Sequence, residues 1–453
     1  MGNHSSSHPS IAAVETAWSD LRALVGAEHF RTSKLEEAVD DVLPHMVIEP
    51  ANPEEVAGAL KIVTGAGLQV IPRGGATKMD WGNPPRSGEL MVSTRRLNRV
   101  VEHAWGDMTA TVEAGCTLQQ LQQTLAEHGQ RLALDPLWPD QATIGGILAT
   151  NDSGPLRIRF GSLRDLVIGI TLVLPDGTLA KSGGKVVKNV AGYDLPKLAT
   201  GSLGTLGIIT QAIFRLHPVP RETRTLSFCN SDSATSDGES MNALVLAIQD
   251  CNMVPTGVQI RAGSSAPPEV GLHEIDLHEI DPHEIDLRFE GTAAGCEAQI
   301  EQTLRMASGA RRIESPADVW NAHSKLWSGA EPSVVCKFSL LPADLGAFLT
   351  LIRKASEPQS LPWRLVAQAV GVGYLRIEGE GTDTGALLSV LQDLRKKLET
   401  RGGSLVILRC PLEIKSQTDV WGSAGDALAL MRSIKAQFDP TGVLNPGRFV
   451  GGL

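Results

Sequence analysis

The stretch VIPRGGATKMDWG occupies residues 70–82. A short apolar run, Val70-Ile71, meets Pro72 and Arg73, then Gly74, Gly75, Ala76 and Thr77. A glycine pair at the end of a strand lets the backbone approach a ligand closely, because no Cβ stands in the way. Successive exposed N–H groups in such a loop form an anion-binding nest. The loop is neither a P-loop, since no G-x-x-x-x-G-K-[ST] occurs, nor a Rossmann G-x-G-x-x-G. What it cradles is read from the remainder of the chain.

Three further stretches share its character. DQATIGGILATNDSG (140–154) carries Gly145-Gly146 with Thr143 before them and Thr150, Asn151 and Ser153 after. RFGSLRDLVIG (159–169) follows and contains Gly161. KNVAGYDLPKLATGSLGTLGIIT (188–210) places Gly201, Gly204 and Gly207 every third residue. Any one of these reads equally well as an ordinary tight turn. Four together, each beside strand-like sequence, favour one extended ligand that bears phosphate.

Together these segments resemble the FAD-binding domain of the vanillyl-alcohol oxidase/p-cresol methylhydroxylase (PCMH-type) family. Pro72–Lys78, Thr143–Gly146 and Gly204–Thr210 match its P-x-G-x-G-T loop, A-T-x-G-G segment and G-T-L-G-I-I-T strand in order. The resemblance implies non-covalent FAD, because Thr77 stands where some relatives attach flavin through His. It implies that Arg73, Gly74, Gly75, Ala76 and Thr77 cradle the pyrophosphate. Leu137–Thr143, Gly145, Gly146, Thr150, Asn151, Ser153 and Gly161 would follow the flavin path. Gly204, Thr205, Gly207, Ile208 and Ile209 would hold the adenosine half. The segment 188–210 and the closing FDPTGVLNPGRFVGGL (438–453) also resemble the FAD-binding, E-type subunits of multi-subunit glycolate oxidases. That likeness implies an FAD-linked catalytic subunit and an iron–sulfur subunit as partners. It further implies a small 2-hydroxy acid as substrate, a cytoplasmic location and membrane contact only through those partners.

The sequence departs from the catalytic relatives in one countable way. They carry a C-terminal H-x-G-D-G-N-x-H segment; here the matching stretch is VAQAVGVGYLRIEG (366–379), with Gln368 at the expected His. No histidine occurs in the last 130 residues, after His323. The catalytic residues are therefore left unassigned. Leu203 replaces a Glu common in the family. Arg448 either stabilises an anion beside the flavin or is a solvent-facing turn residue. Tyr193 reads as a structural hydrogen-bonding group rather than a proton carrier. Lys185 and Lys188 are open between phosphate contact and solvation.

Composition bounds the remaining classes. The 453 residues are 42% hydrophobic with a net charge of −10. An acidic chain without clustered Lys/Arg argues against a nucleic-acid partner. No run approaches the roughly 18 apolar residues of a membrane span, and the opening MGNHSSSHPS lacks the apolar region of a secretory signal. The six cysteines are scattered without a C-x-x-C pair, which provides no local iron–sulfur or zinc motif and suits a reducing compartment.

The expected architecture is α+β: a tail and helix over 1–41, a two-subdomain PCMH-type FAD-binding domain over 42–218, and a second α+β domain over 219–453. The second domain ends in a flavin-side turn. Asn52 caps a helix with Pro53 at its first position and Gly67 at its end. Residues 219–240 are polar and read as a boundary. The pentad repeat LHEIDLHEIDPHEIDL (272–287) sets neighbouring His about 140° apart on a helix and on opposite faces of a strand, so no metal site is expected. It reads as an expanded loop entering a strand. Deleting His278–Pro282 should leave flavin content unchanged, since loop length costs only about 0.6 kcal/mol per doubling. Loss of a stoichiometric metal in elemental analysis of the deletion variant would overturn that reading.

Overall fold

A computed structural model describes residues 10–185, 194–229, 238–264, 284–307, 310–312, 316–379 and 384–453. Tyr193, Lys188, His273, His278 and His283 fall outside them. The chain is α+β and forms two compact units that are discontinuous in sequence. The first comprises the residues up to Asp152, Leu163–Val219 and Ser423–Leu453; the second comprises Ser153–Ser162 and Pro220–Gly422.

The first unit contains two sheets. In one, Phe30–Thr32, Met46–Ile48, Leu90–Ser93 and Val70–Arg73 lie in that order, and the last three run parallel. The helix Pro53–Ala66 supplies the crossover into Val70–Arg73. Asn52 accepts from Glu55 N at 2.8 Å, and Gly67 ends the helix in the left-handed region. Its Val56, Leu60 and Val63 pack with Leu21 and Val25 of the helix Ile11–Val25. The N-terminal helix therefore belongs to the same core as the FAD-binding region rather than standing apart from it. The second sheet is antiparallel, ordered Val100–Ala104, Thr109–Glu113, Ile208–Arg215, Val167–Val173 and Leu179–Gly183. A hairpin turn at Pro175-Asp176-Gly177 joins its last two strands.

The second unit is an eight-stranded antiparallel sheet. Its order is Ala310–Arg312, Glu222–Cys229, Glu284–Gly291, Gly257–Ser264, Trp363–Gln368, Val372–Glu378, Ser333–Ser339 and Ser404–Arg409. One face carries Leu226, Ile260, Leu287, Leu365 and Leu375, packed with Val245, Ile300, Phe348 and Leu394 from helices. The opposite face is polar yet buried: Ser227, Gln259, Asp286 and Arg376 have no exposed surface. This face explains why part of the expected boundary is a strand. Within Glu222–Cys229, Thr225 and Ser227 are polar because they accept from Trp320 Nε1 at 3.0 Å and bond Asp286, respectively. The last repeat unit supplies the buried Glu284 and Asp286, both paired with Arg261.

Candidate functional site

The opening loop leaves the strand Val70–Arg73 within the first unit. C-terminal residues flank that strand: Val70 N donates to Val443 O at 2.8 Å, and Asn445 N donates to Val70 O at 2.9 Å. Residues 443–448 thus join the loop across some 370 positions of sequence. Lys435 fixes this arrangement, with Nζ donating to Thr205 O at 2.7 Å, Leu444 O at 3.0 Å and the Asp439 carboxylate at 2.6 Å. Asp439 in turn accepts from Val443 N and Leu444 N.

One cleft gathers most of the expected residues. Arg73, Gly74, Gly75, Ala76, Thr77, Thr143, Gly145, Gly146, Thr150, Gly204, Gly207, Ile208, Ile209 and Arg448 all line it. Asn151, Ser153, Gly161 and Thr205 do not. Asn151 caps the helix Ile144–Thr150 in a left-handed conformation. Ser153 and Gly161 belong to the other unit, where Ser153 O accepts from Gln368 Nε2 at 3.3 Å. The Thr205 hydroxyl turns inward to Ser202 O at 2.7 Å.

The loop fits a phosphate-bearing cofactor. A Cβ on Gly74 would lie 2.2 Å from Thr143 Oγ1, and one on Gly75 would lie 2.0 Å from Gln141 O. Both positions therefore admit hydrogen alone. Ala76 takes a positive φ of 61° where the family pattern has glycine. Among the described residues, no carbonyl or side chain accepts from the N–H groups of Gly74, Ala76 or Thr77. Unpaired backbone donors converging on a cleft are what an anion requires.

Two expected cations have other tasks. The Arg73 guanidinium is bound by Glu37, which Arg31 also grips at 2.7 Å. Its charge is thereby neutralised from outside the cleft. The Glu37 carboxyl is held down at about 2, chiefly by its hydrogen bond from Arg31. Arg448 is no solvent-facing turn residue. It is buried and donates through Nη2 to Met79 O and Trp81 O, both at 2.5 Å. Burial lowers it to about 10. It clamps the far end of the loop, since those two carbonyls follow Lys78. Lys185 is exposed and paired with Glu102.

Sequence reasoning missed Lys78 and Asp152, although each adjoins a stretch already singled out. Lys78 lines the cleft, and its Nζ lies 3.0 Å from Asp152 Oδ2. It missed Asn445 too, which lines the cleft and donates to Leu203 O at 2.6 Å. Asn-Pro-Gly in a turn was the available signal.

Comparison with known proteins agrees with this geometry. Residues 44–183 match the FAD binding domain, and residues 422–449 match the C-terminal domain of FAD linked oxidases. The chain is 36% identical over 184 residues to glycolate oxidase subunit GlcD of Bacillus subtilis (strain 168), covering 41% of this chain and 39% of that subunit. It is 25% identical over 437 residues to the mitochondrial D-lactate dehydrogenase [cytochrome] of Arabidopsis thaliana, covering 90% of this chain and 74% of the relative. Its fold matches that of p-cresol methylhydroxylase solved with substrate bound, with a TM-score of 0.77 at 16% identity over 97% of each chain. A cleft of free backbone donors is thus built by segments that match the FAD binding domain and the C-terminal domain of FAD linked oxidases.

Proposed function

We propose that this chain is a non-covalent FAD redox subunit of a multi-subunit glycolate oxidase. In that reading the complex oxidises glycolate or a similar D-2-hydroxy acid to the 2-oxo acid. An FAD-linked catalytic subunit and an iron–sulfur subunit complete it at the cytoplasmic side of a membrane. Bound FAD supplies the acceptor for a hydride from the substrate α-carbon. The protein must supply a base for the hydroxyl proton, and a positioned general base contributes about 10²–10⁴-fold.

The observation that carries the reading is the missing imidazole set. Gln368 occupies the expected position and bonds a backbone carbonyl through its amide N–H. The neighbouring cations are committed: Arg261 to Asp286 and Glu284, and Arg376 to Glu378 and the carbonyls of Leu326 and Ala330. Thr77 carries no imidazole for covalent attachment. Among the described residues, no helix is long and apolar enough to cross a membrane, which is compatible with membrane contact through partners.

The test is stopped-flow bleaching of the flavin band. The isolated chain should bind FAD and be reduced by millimolar glycolate at least roughly a hundredfold more slowly than the reconstituted complex, as a missing base requires. Full reduction within seconds by glycolate alone would refute this reading.

The alternative reading is a free-standing flavin-dependent 2-hydroxy-acid dehydrogenase, in which case the isolated chain is reduced quickly by glycolate.

A further inference from the structure

One cleft-lining residue, Lys78, belongs to a buried charge pair with Asp152. Lys78 follows the glycine loop directly, and its side chain is 5% exposed; Asp152, its partner at 3.0 Å, is 1% exposed. Asp152 also accepts from Leu137 N at 2.9 Å. The ammonium lies 5.7 Å from the Trp81 ring centroid and 5.6 Å from that of Trp138. Indole faces attract a cation but accept no conventional hydrogen bond from it. An ammonium has three donors, and among the described residues Lys78 Nζ makes no well-directed hydrogen bond.

Net stability is a weak reason to retain such a pair. A buried ion pair is often replaced by apolar groups without loss, because desolvation offsets the attraction. Its Lys78 member lines a cleft that fits a cofactor whose charge changes during turnover. Full reduction adds two electrons and, with one proton, leaves one extra negative charge. A desolvated cation held in place beforehand favours that charge without reorganising. A fixed carboxylate at the same point opposes it.

We propose that Lys78 and Asp152 set the reduction potential of the bound FAD, Lys78 raising it and Asp152 lowering it. The pair acts on the cofactor electrostatically and is distinct from the backbone cradle that anchors the pyrophosphate. The proposal rests on FAD occupancy of this cleft and not on the identity of the substrate.

Lys78→Met and Asp152→Asn would be made in the full chain. Dithionite titration against a dye of known potential gives the midpoint, and fluorescence titration gives FAD affinity. The expected result is opposite displacement: Lys78→Met more negative and Asp152→Asn more positive. Each shift should reach about tenfold in the reduced-to-oxidised ratio, or about 30 mV for a two-electron couple. Lys78→Arg should keep the wild-type potential. Potentials unchanged in FAD-loaded variants, or displaced in the same direction by both, would overturn the proposal. If Lys78→Met does not fold, Asp152→Asn decides by the sign of its shift alone. Because dithionite is the reductant, failure of the glycolate reading would leave this result unaffected.

Discussion

Replacing Gly75 with Asp is expected to strip the protein of FAD. Two costs combine. Any Cβ at this position would sit 2.0 Å from Gln141 O, so the loop or the Gln141 backbone must move. Overpacking of that kind costs about 1–3 kcal/mol. The carboxylate adds a negative charge beside the proposed pyrophosphate site, and a like pair 4 Å apart costs on the order of 4 kcal/mol at intermediate dielectric. Together these weaken binding by roughly a thousandfold or more, at 1.4 kcal/mol per decade. Gly75→Ala separates the terms, because it keeps the steric cost and lacks the charge; its affinity should fall between wild type and Gly75→Asp. The measurement is the flavin-to-protein absorbance ratio after gel filtration, with circular dichroism to confirm folding. Stoichiometric flavin in folded Gly75→Asp would place the cradle elsewhere.

The second large effect is expected at Glu37, which lines no part of the cleft. Its carboxylate binds Arg73 and Arg31 and also accepts from Lys34 N at 2.9 Å. Glu37→Ala would leave two guanidinium groups facing each other, with Arg73 largely buried. Breaking a buried pair on one side costs about 3–5 kcal/mol. For a unit of this size that lowers the melting temperature by roughly 10 °C. FAD affinity should fall with it, because Arg73 precedes Gly74 directly.

The same group gives a pH signature. Its folded value of about 2 lies below the ordinary 4.5. Its stabilisation is therefore complete above pH 4.5 and is lost as pH falls toward 2. Wild type should exceed Glu37→Gln in melting temperature near pH 7, and the gap should close progressively below pH 4.5. A gap that stays constant down to pH 2 would show that the carboxylate charge is not what stabilises this corner.

Several elements were legible in the sequence because their causes are local. Asn52, Pro53 and Gly67 mark a helix by satisfying its end groups within a few residues. Thr109–Glu113 and the hairpin after Val173 follow from side-chain alternation and a Pro-Asp-Gly turn. Glycine pairs announced the close approaches at Gly74, Gly75 and Gly145, since a missing Cβ is a property of the residue itself. By itself the sequence thus determined the FAD-type α+β unit, most of the cleft lining and the absence of late histidines.

Tertiary structure alone decided how charge is distributed around that cleft. Nothing in the local pattern around Arg73 shows that Glu37, 36 residues earlier, neutralises it. Nothing near Arg448 shows that it clamps carbonyls 367 and 369 positions away. Likewise only the fold assigns Ser153 and Gly161 to the other unit and turns the polar stretch after Glu222 into a buried strand. Such partners meet only after long loops close and desolvate both groups, and sequence periodicity reports neither event. A side chain's type sets what it can bond, but burial and distance set what it does bond. That is why the backbone cradle could be read from residue types, while Glu37, Lys78 and Asp152 had to be found in the fold.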